Sequence, residues 1–434
     1  MLDSAFHHIG NSPPVKKLDY GLVYDKNEVG DSLLFWGFIG LLTTFVIEGP
    51  LRYGLVTSGF PNALYLRDAV AVISIAFIFF RSLLTRGWIE PNIAFVFCIL
   101  LFHFLLGLFF DVPLFQALFG FKIFVPLVFG VAVYRIVERR FSLLLSILAF
   151  FFLISVLGIF ANYAVQKFPW EGAIYETAFG MVSGSREWWI SGGIRRLPGL
   201  ARASFDAAMI VGISGFSCML LFKHLLLRLS VAAIALTAIF LTTSKGMIQV
   251  FLIITLWMLF KNKLGLLPMA RLIVFALLVL AVALPSLAVF FDIGNAVMEQ
   301  DVPFLLTSLW DRFSWMWPKA FDLMTEPENY ILGNGLGSIG TSQLYGQDYR
   351  QLNAADNIFV FTFVTFGPLS LLYLCYPTWR ILRSTDRSDV TIWCIGLLII
   401  CYAYGLTTNM LEQPFFSTLL GIVFARAFTG EHPS

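Results

Sequence analysis

Residues 141–163 read FSLLLSILAFFFLISVLGIFANY, an apolar run of 23 positions with no charged side chain. A helix of about 20 such residues crosses the hydrocarbon core of a bilayer. In lipid the backbone must satisfy its own hydrogen bonds, so a run of this kind is read as a helix. Eleven more stretches read the same way: 33–47, 66–80, 91–110, 113–134, 204–222, 225–243, 246–260, 272–291, 357–376, 389–408 and 413–428. Strands of a membrane barrel are about 10 residues long and alternate in polarity, which these runs do not. The expectation is an all-α polytopic membrane protein, a single integral membrane domain over residues 1–434 with about twelve transmembrane helices.

Composition demands the same surroundings. Of the 434 residues 58% are hydrophobic and 13% charged, whereas a soluble domain carries about 25% charged residues. That is too little charge to coat a water-facing surface. The basic residues are divided among many short loops, so the net charge of +2 implies no nucleic-acid partner. Cys98, Cys218, Cys375, Cys394 and Cys401 all fall inside apolar runs, without zinc-site spacing in a polar loop. Neither a metal, another cofactor nor a disulfide is expected. Residues 1–32 are polar and mixed in charge, a tail rather than a cleavable signal.

Orientation follows from Lys and Arg, which favour cytoplasmic loops. With twelve spans and both ends inside, 17 of the 29 basic residues lie inside; eight of the other 12 lie in two long loops. The short outside segments keep only Arg52, Arg67, Lys122 and Lys245. Both termini are therefore expected in the cytoplasm, and the long loops, 164–203 and 292–356, outside. Loops of this length are uncommon unless functional or disordered, and these are rich in Trp, Tyr, Phe and Gly. The first is basic, with five basic and three acidic residues; the second is acidic, with nine acidic and three basic.

The first loop closes with Arg195, Arg196 and Arg202 just before a span. Three outside arginines in eight residues run against the insertion bias, so something must offset them. A guanidinium is a planar fork of donors matched to phosphate oxygens. These arginines are candidates for a diphosphate clamp; contact with anionic headgroups, or pairing with Glu187, is the plainer alternative. Lys122, just inside the outer end of one span, and Lys245, on a tight outside turn, either face the same cavity or snorkel to the surface. Arg67 and Asp68 can pair with each other.

In the second loop residues 308–321 read SLWDRFSWMWPKAF, with apolar side chains at helical spacing. This is an amphipathic helix for the outer surface, with Arg312 projecting from it either toward substrate or in a structural role. Gly333-Asn334-Gly335-Leu336-Gly337-Ser338 has the glycines of a dinucleotide loop but not the strand and helix of a βαβ unit. It reads as a turn, plain or with amides open to an oxygen-rich ligand. Asp356 is either the N-cap of the next helix or, like Glu412 in the turn 407–414, a general base at the mouth of the bundle.

These landmarks together resemble the Wzy-type polymerases and O-antigen ligases of bacterial surface polysaccharides. The resemblance rests on Arg196-x-x-Gly199 with Asp206-x-Ala208, and on Thr243-Ser244-Lys245-Gly246, similar to a Ser-Arg-Gly turn with Lys for Arg. It continues with Asp311-Arg312-x-x-Trp315, the glycine turn 333–338, Asp356-Asn357 and Gly367-Pro368-Leu369, and so covers residues 195–370. Ligases of the group carry a histidine in the second long loop. Here the histidines are His7, His8, His103, His224 and His432, which favours a polymerase, and the length suits an exopolysaccharide polymerase of the xanthan type.

The resemblance implies a multi-pass protein of the bacterial inner membrane with both loops periplasmic. It implies a metal-independent glycosyltransferase that joins undecaprenyl-diphosphate-linked oligosaccharide repeat units. Arg195, Arg196, Arg202, Lys122, Lys245 and Arg312 would bind substrate, and Asp356 or Glu412 would take the proton. Membrane lipids, a flippase and chain-length or export proteins are the implied partners. A ligase-like glycan transferase and a lipid-linked oligosaccharide flippase are the competing readings.

The topology has a direct test. A cysteine at position 345, with the native cysteines removed, is expected to react with a membrane-impermeant thiol reagent added outside. Reaction from the cytoplasmic side alone would overturn the orientation.

Overall fold

The computed structural model describes residues 28–86, 90–177, 180–190, 193–259, 266–291, 307–346 and 352–429. The chain begins with α1 (Glu28–Val46), α2 (Glu48–Thr57), α3 (Leu66–Arg86), α4 (Pro91–Phe109), α5 (Leu114–Arg139) and α6 (Phe141–Val165). The first long loop follows, then α7 (Ser204–Leu221), α8 (Leu225–Leu241), α9 (Lys245–Leu259) and α10 (Leu266–Phe290). The second loop carries α11 (Thr307–Asp311), α12 (Trp317–Phe321) and α13 (Asn329–Leu332), and α14 (Ile358–Phe366), α15 (Leu369–Arg383), α16 (Asp389–Gly405) and α17 (Pro414–Phe428) complete the bundle.

Among the described residues seven helices are long and apolar enough to cross a membrane, and four more, α8, α9, α16 and α17, are apolar but shorter. The chain is thus a multi-pass helical membrane protein. The stretch 357–376, expected as one helix, is broken at Gly367-Pro368 into α14 and α15. Gly367 takes φ +61, and a Cβ there would lie 2.7 Å from the Gly333 nitrogen; the break is where the second loop meets the helix backbone. The tail expected over 1–32 lies mostly outside the described residues, as do 292–306 and 347–351 of the second loop.

Bundle exteriors and interiors differ as lipid and protein contacts should. Leu84, Leu226 and Phe290 are wholly outward, while Trp257, Trp393, Phe129 and Phe416 are fully buried. Lipid gives helices no hydrophobic reason to associate, so close packing at small residues matters. At the α5–α17 crossing a Cβ on Gly130 would lie 1.9 Å from the Thr418 carbonyl oxygen, and one on Gly421 2.1 Å from that of Leu127. Trp393 Nε1 donates to Ser217 Oγ at 2.9 Å, which satisfies a buried indole between α16 and α7.

Ion pairs gather in two layers. At the end away from the long loops Asp31 pairs with Arg81 at 2.6 Å and Arg139 at 2.5 Å. Arg426 there pairs with Glu138 at 2.9 Å and Asp386 at 2.8 Å. The other layer lies at the loop end.

The loops are more structured than an irregular connection. The first contains two antiparallel hairpins, β1 (Ile174–Thr177) with β2 (Gly180–Ser183) and β3 (Trp188–Ile190) with β4 (Ile194–Arg196). In the second, α11 and α12 are joined by a π-helical turn, Arg312–Met316. The helical stretch exists as the spacing requires, but its apolar side is covered by protein: Trp317 and Ala320 are fully buried, and α12 packs on α10 and α14.

The glycine turn is sunk into the bundle. Leu336 N donates to the His103 carbonyl of α4 at 2.9 Å, and Gln116 Nε2 of α5 donates to Gly337 O at 2.8 Å. Gly335 (φ +78) faces Gly107, and Gly337 (φ +92) faces Gln116 and Gly120. A Cβ on Gly335 would lie 2.2 Å from the Gly107 nitrogen, and one on Gly120 2.2 Å from the Gly337 nitrogen. These glycines serve backbone-to-backbone packing.

Gly335→Ala combines a left-handed backbone cost of about 1–2 kcal/mol with this steric overlap. Gly59 has φ +81 but open space around its Cβ position, so Gly59→Ala isolates the backbone cost. Thermal unfolding in detergent is expected to shift several degrees further for Gly335→Ala than for Gly59→Ala; equal shifts would mean that the buried turn does not hold the fold.

Candidate functional site

The second charge layer is built where both long loops meet the helix ends. The first loop is pinned at its base. Glu171, buried, accepts from Asn162 Nδ2 of α6 at 2.6 Å and from Phe168 N at 2.8 Å. Asn162 Oδ1 in turn accepts from Gly199 N at 3.1 Å. Arg195 closes the arrangement with a short ion pair to Glu171. Its guanidinium is committed to holding the β3–β4 hairpin onto α6, and Glu187 takes Lys167 at 2.6 Å instead.

Arg196, one position on, is placed differently. Strand alternation turns neighbouring side chains to opposite faces, and Arg196 lies over the Trp188 ring at 5.4 Å. Arg186 lies over the same ring at 5.7 Å. The Arg186 backbone N–H donates to the Arg202 carbonyl at 2.7 Å, which brings the third arginine to the group. Arg202 has Asp206 as its nearest acid, at 3.7 Å. Among the described residues no hydrogen bond satisfies the side chains of Arg186, Arg196 or Arg202, and the Nε atoms of Arg196 and Arg202 are buried without a hydrogen-bond partner. Burial, with neighbouring Arg202 in one case and Arg312 in the other, pulls the Arg186 and Arg196 pKa values down. Three half-buried cations are thus held together with less counter-charge than their own number.

The group sits at the start of α7, whose N-cap position, Ala203, supplies no side-chain acceptor. Unsatisfied amides and the helix dipole make such a terminus favourable to anions. Beyond it lies a paired set. Glu48 accepts from Arg52 Nε at 2.9 Å and faces Arg67 Nη1 at 2.9 Å, all three nearly buried. Burial alone would raise the Glu48 carboxyl, but Arg67, Arg52 and Arg202 hold it well below the ordinary range. Arg67 also approaches Asp68 at 3.6 Å, as the sequence allowed. Lys122 pairs with Asp68 at 2.8 Å and lies over Tyr65 and Phe119.

The opposite wall comes from the second loop. Arg312 donates to Asp356 Oδ2 at 2.8 Å, to Thr407 O at 2.9 Å and to Ser308. Its fork is largely occupied by the protein. Asp356 is not the cap of α14: the N-cap is Asn357, whose Oδ1 accepts from Phe359 N at 2.8 Å and Val360 N at 3.0 Å. Ala355 and Asp356 both take positive φ, +59 and +44, so the backbone turns over and the Asp356 carboxylate meets Arg312 instead. Burial raises the Asp356 pKa against the pull of Arg312.

Glu412 lies deeper. Its Oε1 accepts from Thr341 N at 2.6 Å and Thr341 Oγ1 at 2.9 Å. A Cβ on Gly340 would lie 2.2 Å from that oxygen, so glycine makes room for the carboxylate. Burial raises the Glu412 pKa; the Thr341 bonds oppose it and the charge of Asp356 adds to it. Lys245 opens α9 beside this wall, where Ser244 Oγ is 3.0 Å from Tyr404 OH and Gly246 packs on Tyr404 and Thr407.

The structure therefore assembles Arg196 and Arg202 with Arg186, which the sequence reading passed over, and brings Glu412 within electrostatic reach of Arg186 and Arg312 within reach of Arg196. Arg195 and Lys122 are each held by a carboxylate. Among the described residues no group of three metal-binding side chains occurs. No protein-family model, no curated protein and no solved structure matches this chain.

Glu412 gives a pH signature. Its folded-state pKa is above the unfolded one, so its contribution to stability is full at low pH and is lost as pH rises through the raised value. Glu412→Gln keeps an acceptor for Thr341 and removes the charge. Its melting temperature is expected to exceed that of the parent at pH 8 and to converge on it near pH 4; a constant difference across that range would exclude buried ionisation at Glu412.

Proposed function

We propose that this protein is a glycosyltransferase of the bacterial inner membrane, with both termini cytoplasmic and about twelve spans. It joins undecaprenyl-diphosphate-linked oligosaccharide repeat units into a surface or exopolysaccharide at the periplasmic face. The observation that carries this reading is the group of Arg186, Arg196 and Arg202, three cations whose one ion-paired carboxylate among the described residues is Asp206, at a helix N-terminus without a side-chain cap. An unpaired buried donor costs about 1–3 kcal/mol, and a diphosphate supplies acceptors for all of them.

The chemistry follows from that placement. A sugar hydroxyl of one lipid-linked unit attacks the anomeric carbon of the sugar on the other lipid diphosphate. The new C–O bond forms as the bond to the diphosphate breaks, and the diphosphate leaves with the electron pair. Charge grows on the leaving group, so fixed guanidinium donors lower the barrier. The hydroxyl proton passes to a carboxylate. Glu412 suits this role, because its raised pKa makes it a better proton acceptor; Asp356 is the alternative, but it is already engaged by Arg312. A flippase would place charges along a central pathway at several depths. Among the described residues the ion pairs keep to the two ends of the bundle.

Purified protein incubated with lipid-linked repeat units is expected to give a ladder of products. A single transfer product would instead mean a ligase. Arg196→Ala with Arg202→Ala is expected to reduce polymer by at least about 10²-fold, the scale for one transition-state donor, while membrane abundance stays unchanged. Lysine at both positions should restore little, because an ammonium lacks the bidentate fork. Full polymer yield from the double alanine variant would reject the role of the arginines.

A further inference from the structure

Beside the buried glycine turn lies a cavity of about 500 Å³, between the α4–α5 turn and the second loop. That volume is in the range of small-molecule sites. Its walls are unlike the arginine site. Among the described residues that line it there is no cation; there are two carboxylates, Asp111 and Glu326, and four amides, Gln116, Asn329, Asn334 and Gln343. Phe109 and Phe110 supply apolar surface at the rim.

The amides are held by one atom each. Asn334 Nδ2 donates to Leu323 O at 2.7 Å, and Gln116 Nε2 to Gly337 O at 2.8 Å. Gln343 Oε1 accepts from Asn353 N at 2.8 Å, and Asn329 Oδ1 from Glu326 N at 2.8 Å. These bonds fix which way each amide points. Asn334 is 8% exposed, and its Oδ1 is buried with no donor. An orphaned buried carbonyl of this kind calls for a donor from outside the protein. Among the described residues the carbonyls of Asn334 and Gln116 and the amide N–H groups of Gln343 and Asn329 have no hydrogen-bond partner, and the wall offers them to a ligand.

Mixed donors and acceptors fit hydroxyl groups, which do both. The two carboxylates accept from hydroxyls and repel anions, and the phenylalanines can meet the C–H face of a ring. We propose that this cavity binds a neutral oligosaccharide, and that it excludes uronate-bearing or phosphorylated sugars. The choice of a glycan over other neutral polyhydroxylated ligands rests on the polymerase reading. The placement gives the site a role in that reaction. Asn334, Ser338 and Gln343 line the cavity, while Gly340 and Thr341 of the same segment hold Glu412. Sugar seated here would lie across one loop from the proton acceptor and set the register of the chain.

The test is binding without any lipid-linked substrate. Labelled full-length protein in lipid nanodiscs (alkyl maltosides would compete) is applied to an array of neutral oligosaccharides of two to four units, each beside a uronate-bearing counterpart. At least one neutral series should be retained, with its uronate counterpart at least tenfold weaker. Asn334→Leu should reduce retention about tenfold. Because the Asn334 amide also holds Leu323, Glu326→Lys is the second variant: Glu326 is exposed, and the new cation should abolish the discrimination against uronates. Retention of no neutral oligosaccharide, equal retention of the uronates, or an unchanged preference in Glu326→Lys would overturn the site. The triple variant Arg186→Ala, Arg196→Ala, Arg202→Ala should bind the array normally. Normal array binding by a parent protein that makes no polymer would leave this site standing and remove the polymerase reading alone.

Discussion

The contact on which the loop end depends is backbone against backbone, where the turn 333–340 enters the bundle. A segment without regular structure is costly at membrane depth unless protein satisfies it. Here Leu336 N finds the His103 carbonyl, Asn334 N the Val364 carbonyl, Gly335 N the Thr365 carbonyl and Gly340 N the Asn353 carbonyl, all at 2.7–3.0 Å. That replaces water and allows no side chain at the points of crossing, which is why glycine recurs at 107, 120, 335 and 337. The described second-loop side chains in the proposed site are tied to this segment. Thr341 fixes Glu412, Gln343 fixes Asn353, and Asn353 holds Met316 O at 2.9 Å, which ties down the π-turn bearing Arg312.

The arginine site is set by a different balance. Arg52, Arg67, Arg195, Arg312 and Lys122 are each paired with a carboxylate at the loop end. Pairing in a partly buried setting rigidifies a structure more reliably than it stabilises it. These pairs form a rigid frame; among the described residues Arg186 and Arg196 have no ion-paired carboxylate, and Arg202 has Asp206 at 3.7 Å. The Trp188 ring offers Arg186 and Arg196 each a cation–π contact, a partial substitute worth about 0.5–2 kcal/mol. A pre-aimed set of donors needs no reorganisation when an anion arrives, and that is the property transition-state stabilisation requires.

Much of the membrane part was readable in the sequence, because most of the apolar runs reach about the length a bilayer demands. The bounds of α5, α6, α7 and α17 fall within a few residues of the runs read from hydropathy. The break at Gly367-Pro368 was visible as a dipeptide, but its cause, the approach of Gly333, is a contact across more than thirty residues. Pairing was the least readable layer. Arg195 and Arg196 are adjacent and chemically identical, and only the hairpin register, with Trp188 opposite Arg196, separates a structural arginine from an unpaired one. Arg186 carried no local signal at all, since it stands alone in its stretch. The N-cap is the opposite case. Asn caps as well as Asp, and Asn357 is one residue nearer the helix, so the assignment to Asp356 could have been refined from sequence.

That displacement of the cap changes the meaning of Asp356. A carboxylate that caps a helix is spent on two backbone amides. Asn357 takes that task, and two successive residues accept left-handed backbone angles so that Asp356 can reach Arg312. Such conformations cost about 1–3 kcal/mol each and persist where the surroundings over-determine them. Ala355 N is held by Asn353 Oδ1 at 2.8 Å, and Asp356 N by Ala354 O at 2.7 Å, so the strained turn is locked from both sides. The charge of Asp356 then acts at a distance on Glu412 and raises its proton affinity. Two carboxylates at one mouth are thereby made unequal: one is neutralised by an arginine, and the other is left buried with only the Thr341 amide and hydroxyl and the Asn409 side chain to stabilise its charge. The geometry thus sets the two apart: Asp356 is bound to Arg312 and the π-turn, while Glu412 is the carboxylate available for the proton-accepting role proposed above.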